Sequence, residues 1–477
     1  MNLILKILIL LLLIFNNSCS LKNYNDENLA FDIPKIEQWK LSNGLDVRYL
    51  KDSELPFVNI NLYFTRGLYQ EKFEDKIILE AMSSLLKTGG AGSFTAEELD
   101  IKLEELATSI SFNIGSEFGV LSLSTIKTNI EQALGILDLL IRSPRFEESR
   151  ILVYKNKKLD SIKRRIESPD SIGEITFQQL LLSDTELANI STSKDIGLIN
   201  KRNIEKAHKD YFNKNNIIIA VSGDIGKDHT NRLLEKHFSR LQVLGPKNFA
   251  KISFSPKQKK GIYFVEKDFQ QSTIYIGQLG PKRLGEDHYK INIFNPIFGS
   301  SSFNSKIFKK IREEKGYAYS AYGAIISDLW FGKNIIYFQT QVNNTVNAID
   351  EAYSVVKDMQ ENKVADSEVK EQIEKVQNSF VFNYDSSEKI INQDISLELQ
   401  GYPKDFVQNY LNNISKVDVN DVFAVANKYW NIEDFIVLVV GQKSAYNLLE
   451  QATNDPKSFL YGKFINKLEF NEKAIVN

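Results

Sequence analysis

Cysteine is almost absent from this 477-residue chain, and Cys19 stands alone. That excludes an intrachain disulfide and any zinc site built on thiolates. Histidine is nearly as scarce. The four histidines are His208, His229, His237 and His288, and no two have the i, i+4 spacing that sets two imidazoles on one helix face. His229 and His237 are eight apart without a carboxylate at ligand spacing, and all four read as surface or packing residues. An excess of one charge is also missing: 59 basic and 61 acidic residues, spread along the chain, leave a net charge of -2. No long basic run occurs, so the electrostatic footprint of a nucleic-acid binder is lacking and no such partner is expected. Past Phe15, no apolar stretch is long enough for a membrane-spanning helix.

What is present is the composition of a folded chain, 43% hydrophobic and 25% charged, at a length that suits two domains rather than one core. The N-terminus carries Lys6 and then an unbroken apolar run, Ile7 to Phe15, the pattern of a secretory signal. It leads into Asn16-Asn17-Ser18-Cys19, which resembles a bacterial lipobox in which the cysteine is acylated and becomes the new N-terminus. The expectation is a signal peptide over residues 1–19, a polar tether over 20–35, and an exported protein. Lipid on Cys19 anchors it to a bacterial membrane on the periplasmic or cell-surface side.

Folded sequence begins near Trp39. The Asn43-Gly44 pair between apolar stretches predicts a hairpin. Val58, Ile60, Leu62 and Phe64 alternate with Asn59, Asn61 and Tyr63, a strand with one buried face. A helix is expected over about 75–87, stopped by Gly89-Gly90, and Thr95 with Glu98 forms a capping box ahead of another. Strands around Ile110 to Ile114 and Leu121 to Leu123 precede an amphipathic helix over 129–142. The fold class is α+β: two tandem homologous domains, each a mainly antiparallel sheet with helices packed on one face.

The tandem reading rests on repetition. Tyr211 leads into Ile217–Gly223 as Tyr429 leads into Phe435–Gly441, and both the tyrosines and the closing glycines are 218 apart. Asn129-Ile130 and Thr345-Val346 open similar helices at an offset of 216. The domains are placed at 36–245 and 261–477, with a linker over 246–260 that includes Pro246 and Pro256.

Several stretches together resemble the pitrilysin/insulinase family of metallopeptidases, whose small members share a mitochondrial processing peptidase-like fold. They are Leu41-Ser42-Asn43-Gly44-Leu45, Leu55-Pro56 with the strand to Phe64, Gln271 to Gly277, and above all Phe298 to Ser320 with Arg312-Glu313-Glu314-Lys315-Gly316 inside it. Active members hold zinc with His-x-x-Glu-His on a helix of the first domain. The matching positions here are Leu79, Glu80, Ala81, Met82 and Ser83. No metal site is expected in this chain, and Asp160 is not claimed as the family's third ligand.

The resemblance implies that Arg312 and Tyr319 reach a scissile peptide, donating hydrogen bonds to a carbonyl that gains charge. Gly316 lets the chain reverse between the two, Tyr319 falling on the next strand. An arginine at a helix end and a tyrosine on a strand are otherwise ordinary. Gly299, Ser300, Ser301 and Ser302 correspond to a substrate-binding loop, and Lys306 stands where an arginine is common. The expectation is a non-catalytic subunit, inactive alone. It binds extended peptides at a sheet edge and lends Arg312 and Tyr319 to a paralogous subunit that carries the zinc. The alternative is a structural or peptide-binding lipoprotein with no role in proteolysis.

Overall fold

The computed structural model describes residues 33–213, 217–241, 254–301, 303–471 and 474–476. The expected signal segment, Cys19, Ser302 and the first part of the expected linker lie outside them. Residues 35–477 form one compact unit.

The first half contains β1 (Glu37–Lys40), β2 (Asp46–Lys51), β3 (Phe57–Phe64), α1 (Phe73–Thr88), α2 (Ala96–Glu105), β4 (Ser109–Ile114), β5 (Gly119–Ile126), α3 (Ile130–Arg142), α4 (Glu148–Arg164), α5 (Pro169–Leu181), α6 (Lys201–Asn213), β6 (Ile217–Gly223) and α7 (Lys227–Phe238). The second contains β7 (Gly261–Glu266), β8 (Gln271–Gly280), α8 (His288–Asn295), α9 (Lys306–Phe308), β9 (Ala321–Ser327), β10 (Gly332–Gln341), α10 (Thr345–Glu361), α11 (Asp366–Phe380), α12 (Ser387–Leu399), α13 (Phe406–Ile414), α14 (Val419–Tyr429), β11 (Ile436–Gly441), α15 (Lys443–Ala452), β12 (Ile465–Asn471) and β13 (Ala474–Val476).

Each half builds one sheet, ordered β1-β2-β6-β3-β5-β4 and β13-β12-β7-β11-β8-β10-β9. Pairing is antiparallel except at β2–β6, β7–β11 and β7–β12. Turn chemistry shapes the first sheet as anticipated. Gly44, at φ +90°, lets β1 fold back on β2, and the Thr95–Glu98 capping box starts α2. The two sheets differ at one edge. β1 precedes β2 as a hairpin, whereas the place beside β7 goes to β12 from the far end of the chain.

The central strands β6 (IIIAVSG) and β11 (IVLVVG) are buried along their whole length. A continuous apolar run is the pattern of a strand covered on both faces, and the covering of the second face comes from the opposite half. One face of each sheet packs on its own helices. The other receives a helix from the other half: α12 lies on the first sheet and α5 on the second.

The alternation in β3 predicts one buried face, and the structure corrects this. Asn61 and Tyr63 are only 5% and 3% exposed, because α12 covers them. Asn59 donates to Glu388 (3.0 Å), and Asn61 and Tyr63 both donate to Asn392 (3.0 and 2.8 Å). Arg48 on β2 forms ion pairs with Asp394 and Glu398 of α12. In the second sheet, Ile172, Phe177, Leu180 and Leu181 of α5 pack on Tyr263, Tyr275, Leu438 and Val440. The Asp170 carboxylate accepts from Tyr337 (2.6 Å) and Gln339 (2.9 Å).

The exchange keeps the internal repeat. Both ends of α12 lie 218 positions after those of α5, and each helix is capped by a serine, Ser168 or Ser386, accepting a backbone N–H. Arg283 adds a bidentate pair across the halves, donating to both oxygens of Glu117 at 2.7 and 2.8 Å, with both side chains largely buried. The two halves thus form a two-domain architecture in which each half completes the other's sheet.

Gly173 is the tightest point of the exchange, because any Cβ there enters the Tyr275 ring. Gly173→Ala is expected to push α5 off the second sheet and cost about 1–3 kcal/mol. Urea unfolding checks this, as one transition for both halves with a lowered midpoint and an unchanged slope.

Candidate functional site

On α1, the positions that match the family's metal-binding motif point into the protein. Leu79 is 4% exposed, and Ala81 and Met82 are fully buried in the first core. Glu80 turns away and pairs with Lys158 of α4 at 2.9 Å, while the Ser83 hydroxyl donates to the Glu80 carbonyl. A hollow of about 230 Å³ beside Leu79 is bounded by Arg66, which is paired to Glu71, and by Asp75, Lys206 and Asp210. Asp160 is exposed and paired with Arg164 at 3.0 Å. Apolar side chains and interleaved cations do not fit a zinc ion. Among the described residues, no group of three or more His, Cys, Asp or Glu could hold a metal.

The histidines have packing surroundings. His208 is wedged against Phe146 and Phe212, with ring centres 5.7 and 4.6 Å away. Burial lowers its pKa to about 4. His237 faces Asp138 at 3.2 Å, His288 packs in an aromatic cluster with Tyr289, Tyr402 and Phe406, and exposed His229 lies 3.5 Å from Glu131.

The second-half residues do come together. α9 continues into a wider, π-helical turn over Lys309–Glu314. Gly316, at φ +64°, ends it: Gly316 N–H donates to the Arg312 carbonyl (3.0 Å) and Tyr317 N–H to that of Ile311 (2.9 Å). This pair of bonds reverses the chain and brings Tyr319 back over the helix end. The Arg312 guanidinium lies 4.6 Å from the centre of the Tyr319 ring. It also lies 5.0 Å from Phe308 and 5.9 Å from Phe303, so three rings hold one cation. Tyr319 precedes β9 rather than lying on it, and its side chain is 84% exposed.

Three neighbouring lysines are engaged: Lys306 with Glu368, Lys310 with Glu314, and Lys315 with Glu351. Arg312 has no carboxylate partner among the described residues. Its donors remain available to an acceptor from outside, with the cation flanked by the three rings. Phe303 and Phe308 were missed by sequence reasoning. Phe308 and Arg312 were findable from their i, i+4 spacing, while Phe303 arrives through the reversal alone.

The loop before α9 needs a correction. Gly299 does not face a substrate. It is buried, and a Cβ there would meet the Gly323 backbone of β9 at 2.6 Å, so its role is close packing of the π-helical turn Pro296–Ser300 on the strand. Ser300 is exposed and Ser301 half-buried.

Comparison with known proteins agrees with this geometry. Residues 199–376 match the family model described as "Peptidase M16 inactive domain". The chain is 23% identical over 402 residues to the "Non-peptidase homolog YmxG" of Helicobacter pylori, covering 83% of this chain and 92% of that one. It is 19% identical over 407 residues to the "Uncharacterized zinc protease YmxG" of Bacillus subtilis, covering 85% and 98%. The solved structure of a peptidase M16 inactive domain from Pseudomonas fluorescens superposes with a TM-score of 0.75 at 18% identity, over 86% of this chain and 99% of that one. The matched second-half stretch and the fold are similar to those of the M16 group, the pitrilysin/insulinase-type peptidases. The proteins it is similar to include an inactive domain and a non-peptidase homologue, and the apolar α1 fits a non-catalytic role.

The buried imidazole generates a pH dependence. His208 has a pKa of about 4 in the folded chain against 6.5 when exposed. As pH falls, the unfolded state takes up the proton first. Stability is therefore complete above about pH 6.5 and is lost down to about pH 4, by up to ~3 kcal/mol from this group. His208→Leu should flatten that part of the profile, read from urea midpoints at pH 7 and pH 4.5.

Proposed function

We propose that this chain is the non-metal subunit of a two-subunit zinc peptidase. In this reading it lends Arg312 and Tyr319 to the active site of a paralogous subunit that holds the zinc and the general base. The observation that carries the reading is the contrast between two places in one chain. Where the family binds metal, α1 presents Leu79, Ala81 and Met82 to the core. Where the family stabilises a substrate carbonyl, Arg312 is flanked by three rings, Tyr319 among them exposed, and has no carboxylate partner among the described residues.

A guanidinium and a phenol presented in this way donate to an oxygen that gains charge during water attack, which is where fixed donors have most effect. Zinc in the partner would supply the activated water. The substrate is an extended peptide. On this chain its natural seat is the outer edge of β4, which ends the first sheet and packs beside α1. The edge of β9 is closed to strand addition. Asn295 exchanges two hydrogen bonds with the Ile325 backbone (2.8 and 2.9 Å), and Gly299 covers Gly323.

The protein is exported in this proposal and held at a bacterial membrane through lipid on Cys19. Among the described residues no helix is long and apolar enough to cross a membrane. Cys19→Ala should move the protein from the membrane fraction to the soluble fraction of fractionated cells.

Two variants test the catalytic reading. Mixed with its zinc-bearing partner, Arg312→Ala is expected to lower kcat/KM for an unfolded peptide about 100- to 1,000-fold, the usual loss for one oxyanion donor. Tyr319→Phe should lower it less, and both variants should leave assembly with the partner intact by gel filtration. Full activity of either variant, or stoichiometric zinc and cleavage by this chain alone, contradicts the proposal.

A further inference from the structure

Between α5 and the second sheet lies a cavity of about 440 Å³ that none of the preceding roles uses. Its origin is legible in the strand register. Across β8, β10 and β9, Tyr275, Tyr337 and Tyr322 stand in one row, and Leu279, Lys333 and Ile326 stand in another. The row between them is Gly277, Ile335 and Ala324. Two bulky rows thus flank a small one, and successive same-face rows are about 7 Å apart. The result is a trough across three strands.

At the β8 end, Phe177 of α5 fills the space above Gly277, where a side chain would collide with it. Over Ile335 the trough stays open, and Tyr69 and Phe331 complete its walls. The rings are arranged as a lined recess: Phe177 stacks on Tyr275 at 5.8 Å, Tyr275 meets Tyr337 at 4.9 Å, and Tyr69 meets Phe331 at 6.0 Å. The rim is mixed in charge, with Lys333 opposite Glu174 and Asp328. Such a rim favours neither a strong anion nor a strong cation and suits a neutral peptide backbone. The volume falls in the range of small-ligand pockets, roughly 300–1,000 Å³.

Position connects this recess to the Arg312 site. Tyr322 is three residues after Tyr319 along the chain, a reach of at most about 11 Å. Tyr319 faces solvent at 84% exposure, and Tyr322 and Ile326, on one face of β9, are 37% and 40% exposed at the mouth of the recess. We propose that the recess is a specificity pocket for an aromatic side chain of the peptide whose carbonyl Arg312 and Tyr319 engage. The inference rests on the peptidase-subunit reading, and it adds a substrate class, peptides with an aromatic residue near the engaged carbonyl.

The test uses the full chain and two kinds of probe. In saturation-transfer NMR, the ring protons of N-acetylphenylalaninamide should receive magnetisation and the methyl protons of N-acetylalaninamide should not. Tyr322→Ala and Ile326→Glu, both at partly exposed positions that folding tolerates, should each abolish the ring signal. In fluorescence anisotropy, a labelled Ala/Ser decapeptide with one central Phe should bind roughly tenfold more tightly than its Phe→Ala counterpart, a gain in line with burying one ring. Tyr322→Ala should collapse that ratio towards one, whereas Arg312→Ala should weaken both peptides by the same factor. No ring signal, or a Phe/Ala ratio that survives Tyr322→Ala, overturns the pocket and leaves the role of Arg312 standing. A ring signal that Tyr322→Ala removes, with both peptides indifferent to Arg312→Ala, supports the pocket, and a kcat/KM with the partner that is also indifferent to Arg312→Ala overturns the peptidase-subunit reading instead.

Discussion

A sheet that is apolar on both faces needs two covers, and each half of this chain supplies only one for itself. That shortage organises the rest of the molecule. Ile218 and Ala220 of β6, with Tyr63 beside them, gain their second cover from Ile391 and Ile395 of α12. Ile436, Leu438 and Val440 of β11 gain theirs from α5. Non-directional apolar burial would allow either helix to slide. The polar contacts fix where each one stops: Arg48 against Asp394 and Glu398, Asn61 and Tyr63 on Asn392, and Asp170 under Tyr337 and Gln339. Half-exposed ionic and amide pairs of this kind contribute position more than net stability. The same placement of α5 leaves β10 and β9 partly uncovered, and the aromatic recess is the space that remains.

The Arg312 site depends on a different local rule. A helix whose last turn widens and then meets a left-handed glycine must reverse sharply, and the reversal sets an exposed tyrosine over the guanidinium. Stacking against Phe303, Phe308 and Tyr319 orders the arginine without consuming its hydrogen-bond donors. An ion pair would have ordered it equally well, but with the donors spent. Lys306, Lys310 and Lys315 nearby are all paired, whereas Arg312 has no carboxylate partner among the described residues. At α1 the reverse holds: apolar residues and the Glu80–Lys158 pair make ordinary packing.

Much of this was legible before the structure. Asn43-Gly44 marks a hairpin because the turn needs a positive φ, and Thr95 with Glu98 marks a helix start because two orphan donors are satisfied there. Arg312, Gly316 and Tyr319 were likewise readable as a helix end and a return. The exchange was not, for a definite reason. Periodicity shows that a face is apolar or polar, but not which distant segment lies on it, so Asn59 and Asn61 passed for a solvent face. A clue was available, since Ser168 and Ser386 cap helices 218 positions apart, the same offset as the glycines that close β6 and β11. Gly299 was misread because a loop glycine serves backbone approach to a ligand and backbone approach to a neighbouring strand equally well. Only the position of Gly323 distinguishes the two.

The crossing of α12 onto the first sheet has a consequence in time. The ribosome completes β6 at Gly223, yet Ser387, the first residue of the helix that covers it, is more than 160 residues further on. At ordinary rates of synthesis that gap is about 8–30 s. Throughout that interval the nascent first half has an oily back, Tyr63, Ile218 and Ala220, with nothing of its own to put against it. Such a chain stays loosely packed until its C-terminal portion emerges.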